Sequence, residues 1–318
     1  MKKKAIYGVG VYGRRVLDCF KILNEDISFF IVSQKSKEMP SSIDGIPIYD
    51  VTEISVAEFE KLIVIVAVNE NYHKDIKRTL VDKYGNCVND NVVFYKKSDI
   101  DTLFRKAHPI DLGNIFLHSL QPVSRLFGND RGTPVDRYYI EKYLEKESKL
   151  LPLYGKTLEV GEDTYSRYFF PKYKHEVLDY SKGMDLTRKD TLHKAEYDVF
   201  ICTQVFHQIY DVKSAIEGAY YLLKNDGVML ATVCGNITKL ARNDEYEHYW
   251  CFTKLSIEAL VKEVFGEEVE VVTYGNCMVA TAFIEGVALE EIDKSLLDIN
   301  DLDYTICISI TAKKGGTK

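Results

Sequence analysis

The feature that most constrains the fold is a pair of short apolar runs that each carry an acid near their end. Residues 157–160 contain Glu159 and stop at Gly161, and a second apolar run ends at Asp179. The glycine permits a tight turn from a strand into the next segment. In an open parallel sheet, ligands lie beyond the carboxyl ends of the strands, where one loop holds a charged group and an acid binds ribose hydroxyls. The spacing therefore predicts an α/β fold with a site for an adenosine-containing cofactor.

Apolar runs alternate with helical stretches along the chain, which predicts parallel sheets covered by helices. The predicted strands are 4–7, 27–32, 62–68, 91–95, 157–160, 176–179, 197–202, 228–233, 269–274 and 304–311. The predicted helices are 14–23, 71–84, 135–147, 212–223 and 254–265. We predict two Rossmann-like domains, residues 1–100 and 131–318, joined at 101–130 by a linker with short helices.

Composition limits the partners and the compartment. The 318 residues are 46% apolar and 28% charged, with a net charge of -7, which is typical of a soluble globular protein and unfavourable for nucleic-acid binding. Seven cysteines are scattered without a C-x-x-C pair, which favours free thiols in a reducing cytoplasm. No compact His/Asp/Glu set is visible, so the sequence predicts no metal site. No apolar run reaches 18 residues, so we expect no membrane span.

Near the amino terminus, Gly8, Gly10 and Gly13 form a G-x-G-x-x-G turn between a predicted strand and a predicted helix. Such a turn lets the backbone approach a pyrophosphate, but no acid follows Val32 to bind the ribose of NAD. Two interpretations stay open, namely tight strand–helix packing and a nucleotide or nucleotide-sugar site. With residues 45–49, this region resembles the N-terminal Rossmann-like domain of sugar-modifying acyltransferases.

The C-terminal part resembles the class I S-adenosylmethionine (SAM)-dependent methyltransferases over about residues 130–312. The family's usual glycine triplet is reduced to Gly161, and Tyr221-Leu-Leu-Lys-Asn-Asp-Gly227 is similar to a family turn. Residues 131–141, 203–211 and 249–253 resemble a bacterial subgroup that is associated with surface-polysaccharide or glycan assembly. The resemblance implies cofactor contacts from Glu159, Gly161, Thr164, Tyr165, Asp179, Asp185, Leu186, Thr203, Gln204, Arg137 and Tyr138.

For transfer to a hydroxyl, the enzyme must remove a proton, and histidine is the natural base near neutral pH. We predict His207 or His248 as that base, with Asp244 or Asp211 orienting it, and a substrate wall formed by Arg242, Tyr249 and Trp250. The leading hypothesis is a SAM-dependent O-methyltransferase acting on a sugar, nucleotide-sugar or surface glycan. The alternatives are a cofactor-free scaffold of glycan assembly and an NAD-linked sugar oxidoreductase. An oligomer is compatible with the sequence.

Overall fold

The α/β class is confirmed by a computed structural model that describes residues 2–110, 120–238 and 247–315. The described residues form two six-stranded sheets with helices between the strands. By contacts between Cα atoms, the chain divides into two compact units, Met1–Gln121 with Asp130–Gly132 and Pro122–Asn129 with Thr133–Lys318. In the part of the chain that is described, no helix is both long enough and apolar enough to cross a membrane.

The first unit contains a sheet in the order β3-β4-β2-β1-β5-β6, whose neighbours are parallel except for the β3–β4 pair. Its strands are β1 Lys3–Tyr7, β2 Phe29–Val32, β3 Ser42–Ile43, β4 Ile46–Asp50, β5 Leu62–Val66 and β6 Val92–Phe94. Its helices are α1 Val11–Ile22, α2 Val56–Phe59, α3 His73–Tyr84, α4 Val88–Asn91 and α5 Lys97–Ala107. The chain passes from β1 to β2 on one side and then to β5 on the other.

Helix α5 continues into the region for which the sequence predicts a linker with short helices. Its buried Asp101 accepts hydrogen bonds from Arg15 of α1 at 3.2 Å and from Lys97 at 2.8 Å. The guanidinium of Arg15 also lies 4.2 Å from the centre of the Phe104 ring. These contacts pack α5 against α1, because a buried carboxylate is stable only when it is paired.

The second unit contains a sheet in the order β11-β12-β10-β9-β7-β8. Its strands are β7 Lys156–Val160, β8 Lys174–Leu178, β9 Tyr197–Thr203, β10 Leu223–Cys234, β11 Val269–Tyr274 and β12 Cys307–Lys313. Its helices are α6 Asp136–Ser148, α7 Thr164–Phe169, α8 Val212–Leu222, α9 Lys254–Phe265 and α10 Cys277–Glu285. Strands β7 to β10 are mutually parallel, and apolar side chains are buried on both faces of this sheet.

The expectation of a wholly parallel second sheet is wrong for β12, which runs antiparallel to both β10 and β11. After α10, the chain returns to the sheet at the carboxyl end of β11. There the Asp301 N–H donates to the Gly275 carbonyl at 2.8 Å, and the Ile306 N–H donates to the Tyr274 carbonyl at 2.9 Å. A strand that starts beside the end of its neighbour runs back along it, which makes the pair antiparallel.

Candidate functional site

The carboxyl ends of three neighbouring parallel strands, β8, β7 and β9, meet at one edge of the second sheet. The chain goes from β7 to β8 on one side and then crosses to β9 on the other, so the strand order reverses beside β7. Such a switch point is where open α/β sheets bind their ligands. The residues that follow these strands therefore form the candidate site.

Gly161 makes the turn at the end of β7. Its φ is +85°, in the left-handed region that glycine adopts without strain, and its N–H donates to the Leu178 carbonyl at 3.0 Å. A Cβ at this position would meet no atom within 4 Å. The backbone conformation requires the glycine, and the space beside it is open to a ligand.

Glu159 is buried in β7 and bonds to the backbone of the next helix. Its carboxylate accepts hydrogen bonds from the Ser166 N–H at 2.7 Å and the Tyr165 N–H at 3.3 Å, in the first turn of α7. Burial raises the pKa of Glu159, and these hydrogen bonds oppose the rise. The carboxylate for which the sequence predicts a cofactor contact thus fixes the start of α7, which also carries the predicted contacts Thr164 and Tyr165.

Asp179 lies directly after β8, at the neighbouring position of the same edge. One carboxylate oxygen accepts hydrogen bonds from the Ser181 N–H at 3.0 Å and the Ser181 hydroxyl at 2.6 Å, and the other lies 3.0 Å from the Lys182 ammonium. The Ser181 hydroxyl, with Lys182, lowers the pKa of Asp179. The group is therefore an ionised acceptor at neutral pH, as a carboxylate that binds ribose hydroxyls must be.

The next two predicted contacts, Asp185 and Leu186, have different environments. The Asp185 carboxylate accepts hydrogen bonds from the Thr187 N–H at 2.9 Å and the Thr187 hydroxyl at 2.8 Å. Leu186 is buried in the core with the residues of α8. Its carbonyl oxygen would lie 1.9 Å from a Cβ at Gly218, so α8 supports this loop at close range.

Gln204, which follows Thr203 at the end of β9, has an unusual backbone conformation. Its φ is +57°, a left-handed value that a non-glycine residue adopts at a cost of about 1–2 kcal/mol. The Gln204 N–H donates to the Thr232 carbonyl at 2.7 Å, and its side-chain amide lies 3.7 Å from the Cys307 sulfur. Strain of this kind clusters at binding and catalytic sites, so the conformation is consistent with a functional role.

Arg137 and Tyr138, which the sequence groups together, point to different partners. A guanidinium nitrogen of Arg137 donates to the Tyr165 hydroxyl at 3.3 Å, which links α6 to the start of α7. The Tyr138 hydroxyl instead donates to Asp298 at 2.7 Å. Successive helical residues are rotated by about 100° around the axis, which explains the divergence. Half-buried Arg137 thus contacts a residue of the switch-point loops, whereas the hydroxyl of Tyr138 bonds to Asp298.

Asp136 precedes Arg137 at the start of α6 and is not among the residues for which the sequence predicts a cofactor contact. Burial raises its pKa, and the adjacent charge of Arg137 opposes the rise. Burial raises the pKa of Cys307, Asp136 adds to the rise and Arg137 opposes it; the Cys307 sulfur lies 3.7 Å from the side-chain amide of Gln204. An acid at the first position of a helix usually interacts with the helix dipole, so its position in the sequence gave no sign of this environment.

His207 lies in the turn after β9, and its surroundings weaken its predicted role as a base. It is 5% exposed, and burial, with a smaller effect of His248, lowers the pKa of His207 to about 3. A base with so low a pKa accepts a proton poorly at neutral pH. The imidazole is therefore neutral, and its catalytic role stays a prediction.

His248 lies against His207, with ring centres 4.7 Å apart, and its Nε2 is 3.5 Å from the Cys234 sulfur and 3.8 Å from the Cys251 sulfur. Burial lowers the pKa of His248, and a backbone contact with Trp250 partly offsets this. Burial, with a contribution from Cys251, raises the pKa of Cys234 to about 12. The predicted residues Asp244 and Arg242 lie outside the described residues.

Tyr249 and Trp250 form an exposed aromatic cluster with Tyr210, a residue that the sequence did not single out. The Tyr210 ring centre lies 5.5 Å from that of Tyr249 and 6.2 Å from that of Trp250. The backbone N–H groups of Tyr249 and Trp250 donate to the His207 carbonyl, and the indole N–H of Trp250 donates to the Ile209 carbonyl at 3.0 Å. The two predicted substrate residues are thus fixed beside the turn that follows β9.

In the first unit, the glycine motif serves local packing at two of its three positions. A Cβ at Gly13 would lie 1.9 Å from the Gly8 carbonyl oxygen, and Gly8 itself has a φ of +110°. Gly10 has neither constraint, since its φ is -74° and a Cβ there would meet nothing within 4 Å. In the first sheet the strand order reverses between β1 and β5, and a cavity of about 450 Å³ at the carboxyl ends of these strands is lined in part by Gly8, Val32 and Val68.

Comparisons with known proteins give similarity in structure only. No protein-family model matches the chain, and no curated protein matches it in sequence. A SAM-dependent methyltransferase from Archaeoglobus fulgidus is similar over 56% of this chain and 94% of its own, with 10% identity and a TM-score of 0.39. One from Mesorhizobium loti is similar over 55% of this chain and 100% of its own, with 15% identity and a TM-score of 0.37.

A third similar structure is the 1,6-didemethyltoxoflavin-N1-methyltransferase of Burkholderia thailandensis, which was solved with S-adenosylhomocysteine bound. The similarity covers 57% of this chain and 82% of that chain, with 13% identity and a TM-score of 0.35. Likeness of this degree identifies neither a cofactor nor a substrate. The functional argument therefore depends on the site itself.

Proposed function

We propose that this protein is a SAM-dependent O-methyltransferase whose acceptor is a sugar, a nucleotide-sugar or a surface glycan. The observation that carries the proposal is the meeting of Gly161, Asp179 and Gln204 at the ends of three adjacent parallel strands. An open glycine turn, an ionised acid and a strained residue suit a ligand that has both a nucleoside and a charged end. Asp179 is assigned to the ribose hydroxyls.

The amino-acid end of SAM is assigned to the region where α6 meets α7. Arg137 would pair with the carboxylate of the cofactor, because a guanidinium donates two parallel hydrogen bonds to a carboxylate. Its contact with the Tyr165 hydroxyl holds the guanidinium close to the loop that follows β7. The nearby acid Asp136 suits the ammonium of the same ligand.

For the acceptor, the proposal uses the exposed aromatic cluster of Tyr210, Tyr249 and Trp250. Aromatic faces stack on the apolar faces of sugar rings, which favours a carbohydrate over a charged polymer. Holding the acceptor hydroxyl in line with the methyl group supplies much of the rate enhancement. The roles of His207, His248 and Asp244 in removing its proton stay predictions.

The proposal extends to the whole chain. Each sheet has a switch point, between β1 and β5 and between β7 and β9, which supports two Rossmann-like domains with the second of the class I methyltransferase type. The cavity beside Gly8 would hold a nucleotide or nucleotide-sugar in the first domain. None of the seven cysteines forms a disulfide, which is compatible with the proposed place of action, a reducing cytoplasm. The proposed role in polysaccharide biosynthesis follows from the proposed acceptor.

The test is calorimetric binding of SAM and S-adenosylhomocysteine to the wild type and to Asp179→Ala. We expect binding by the wild type and affinity at least about tenfold weaker in the variant, because a charged acceptor of two hydroxyl hydrogen bonds is lost. Binding is followed by assays of methyl transfer to a panel of nucleotide-sugars.

The matched control is Asp293→Ala. Asp293 also begins a 3-10 turn and accepts hydrogen bonds from the N–H and the hydroxyl of a serine two residues later, Ser295, at 3.0 and 2.8 Å. It does not follow a strand of the sheet. Equal affinity in the two variants would remove Asp179 from the ribose site. No binding by the wild type would favour the cofactor-free scaffold.

A further inference from the structure

Three side chains with soft metal-binding atoms meet where β10 ends. His207, Cys234 and His248 each offer a ligand atom, and these atoms all lie within 4.8 Å of one another. A fourth such side chain, Cys251, is adjacent to this group of three, with its sulfur 3.8 Å from the Nε2 of His248. The sequence predicts no metal site, and no spacing in it points to this group, because its members lie 27 and 14 positions apart along the chain and converge only in space.

The distances resemble those between ligands of a tetrahedral zinc ion. With Zn–S near 2.3 Å and Zn–N near 2.05 Å, tetrahedral angles place a sulfur and a nitrogen ligand about 3.5 Å apart. The Nε2 of His248 lies 3.5 Å from the Cys234 sulfur and 3.8 Å from that of Cys251. Both sulfurs thus lie near the distance from the His248 nitrogen that a shared zinc ion requires, and His207 lies within 4.8 Å of two of these three atoms.

The polar atoms of the group lack other good partners. His207 is buried, and its Nδ1 forms no hydrogen bond with any residue among 2–110, 120–238 and 247–315. A buried nitrogen without a hydrogen bond costs free energy, and coordination of a metal ion would give this nitrogen a partner. The Cys234 thiol contacts the Trp250 carbonyl at 3.3 Å, which is a weak bond for a thiol.

We propose that His207, Cys234, His248 and Cys251 bind one divalent zinc-class cation. Two neutral imidazoles and two thiolates form a Cys₂His₂ set, which favours zinc and leaves no open position for a substrate. On binding, the two thiols lose their protons to solvent as two S–metal bonds form. The ion would fasten residues 248–251 to the end of β10 and place the aromatic cluster. It would also occupy the two histidines that the sequence predicts as bases.

The first test uses cobalt(II) as the probe on the reduced full-length protein without SAM. Tetrahedral cobalt with thiolate ligands absorbs in the visible region and in the near-ultraviolet, and added zinc should remove both bands at one equivalent. Loss of an outer-shell partner already weakens metal binding by about 10–100-fold, so we expect Cys234→Ser and Cys251→Ser, which each remove a direct ligand, to weaken cobalt binding at least about tenfold. Cys277→Ser is the matched control, because Cys277 is exposed like Cys251 and begins helix α10. The proposal fails if no bands appear or if the three variants bind alike.

A second measurement avoids variants that fail to fold. In the wild type, one equivalent of zinc should slow alkylation of Cys251 at least about tenfold and leave that of exposed Cys277 unchanged. Equal rates with and without zinc at Cys251 would overturn the proposal. So would a Cys234–Cys251 disulfide that persists under reducing conditions, since it removes both sulfur ligands. Neither measurement involves SAM, so metal binding and SAM binding can succeed or fail separately. A bound ion would, however, exclude His207 and His248 as the bases that remove the acceptor's proton.

Discussion

Replacing Gly218 by alanine should have two effects of opposite sign on the free energy of unfolding. In the interior of a helix, glycine to alanine usually stabilises by about 1 kcal/mol. At this position, however, the new Cβ would lie 1.9 Å from the Leu186 carbonyl oxygen and 3.2 Å from a methyl group of Leu192. Because Cβ atoms essentially never show non-bonded contacts under 3.0 Å, helix α8 or the loop that contains Leu186 must move by about 1 Å.

Overpacking of this kind costs about 1–3 kcal/mol, and more when the clash is with backbone. Because this clash is with a backbone oxygen, we take the upper end of the range, about 3 kcal/mol. Subtracting the gain of about 1 kcal/mol from the better helix former leaves a net loss of about 2 kcal/mol in the free energy of unfolding. For a unit of this size, that loss lowers the melting temperature by about 4–8 °C. Because the displaced loop carries Asp185 and Leu186, SAM affinity should fall as well.

The assay is differential scanning calorimetry combined with SAM titration, with Gly266→Ala as the control. Gly266 has a φ of +79°, and a Cβ there would meet nothing within 4 Å. Its ψ is -145°, close to a region that is essentially restricted to glycine, so that variant measures a backbone cost of about 1–3 kcal/mol, without a contact to another residue and away from the site. The reasoning is refuted if Gly218→Ala is as stable as the wild type, or if Gly266→Ala loses as much SAM affinity.

Two further outcomes are expected. Arg137→Met should weaken SAM binding by about tenfold. The same variant should bind 5′-methylthioadenosine, which lacks the amino-acid carboxylate, within about twofold of the wild-type affinity. Equal losses for both ligands, measured by calorimetry, would remove Arg137 from the carboxylate site. A fragment that starts at Leu120 should fold by circular dichroism and bind SAM with the affinity of the full chain, and an unfolded fragment would show that the two units share a core.

The sequence by itself determined the α/β class and the order of most elements, because runs such as 62–66 are apolar throughout and alternate with helical periodicity. It also located the acid and glycine positions of the candidate site, since Gly161 and Asp179 follow directly from where β7 and β8 end. Such patterns are local, so they can be recognised without knowledge of the tertiary structure. The predicted ends of some strands differ from the observed ones, as for 304–311 and the observed Cys307–Lys313. Helix α10 was missed because its apolar residues lack a clear period.

Only the tertiary structure decided the direction of β12, since strand direction depends on where the returning chain meets its neighbour. It also decided that Arg137 and Tyr138 form hydrogen bonds to different residues, and that Glu159 accepts a hydrogen bond from the backbone of α7. The strongest case is the group formed by His207, Cys234, His248 and Cys251, because the sequence names the two histidines only as alternative bases and does not single out the two cysteines. Their proximity depends on β9 and β10 being neighbours and on residues 248–251 lying beside the ends of both strands. Contacts between distant segments are properties of the packed chain, and no local pattern encodes them.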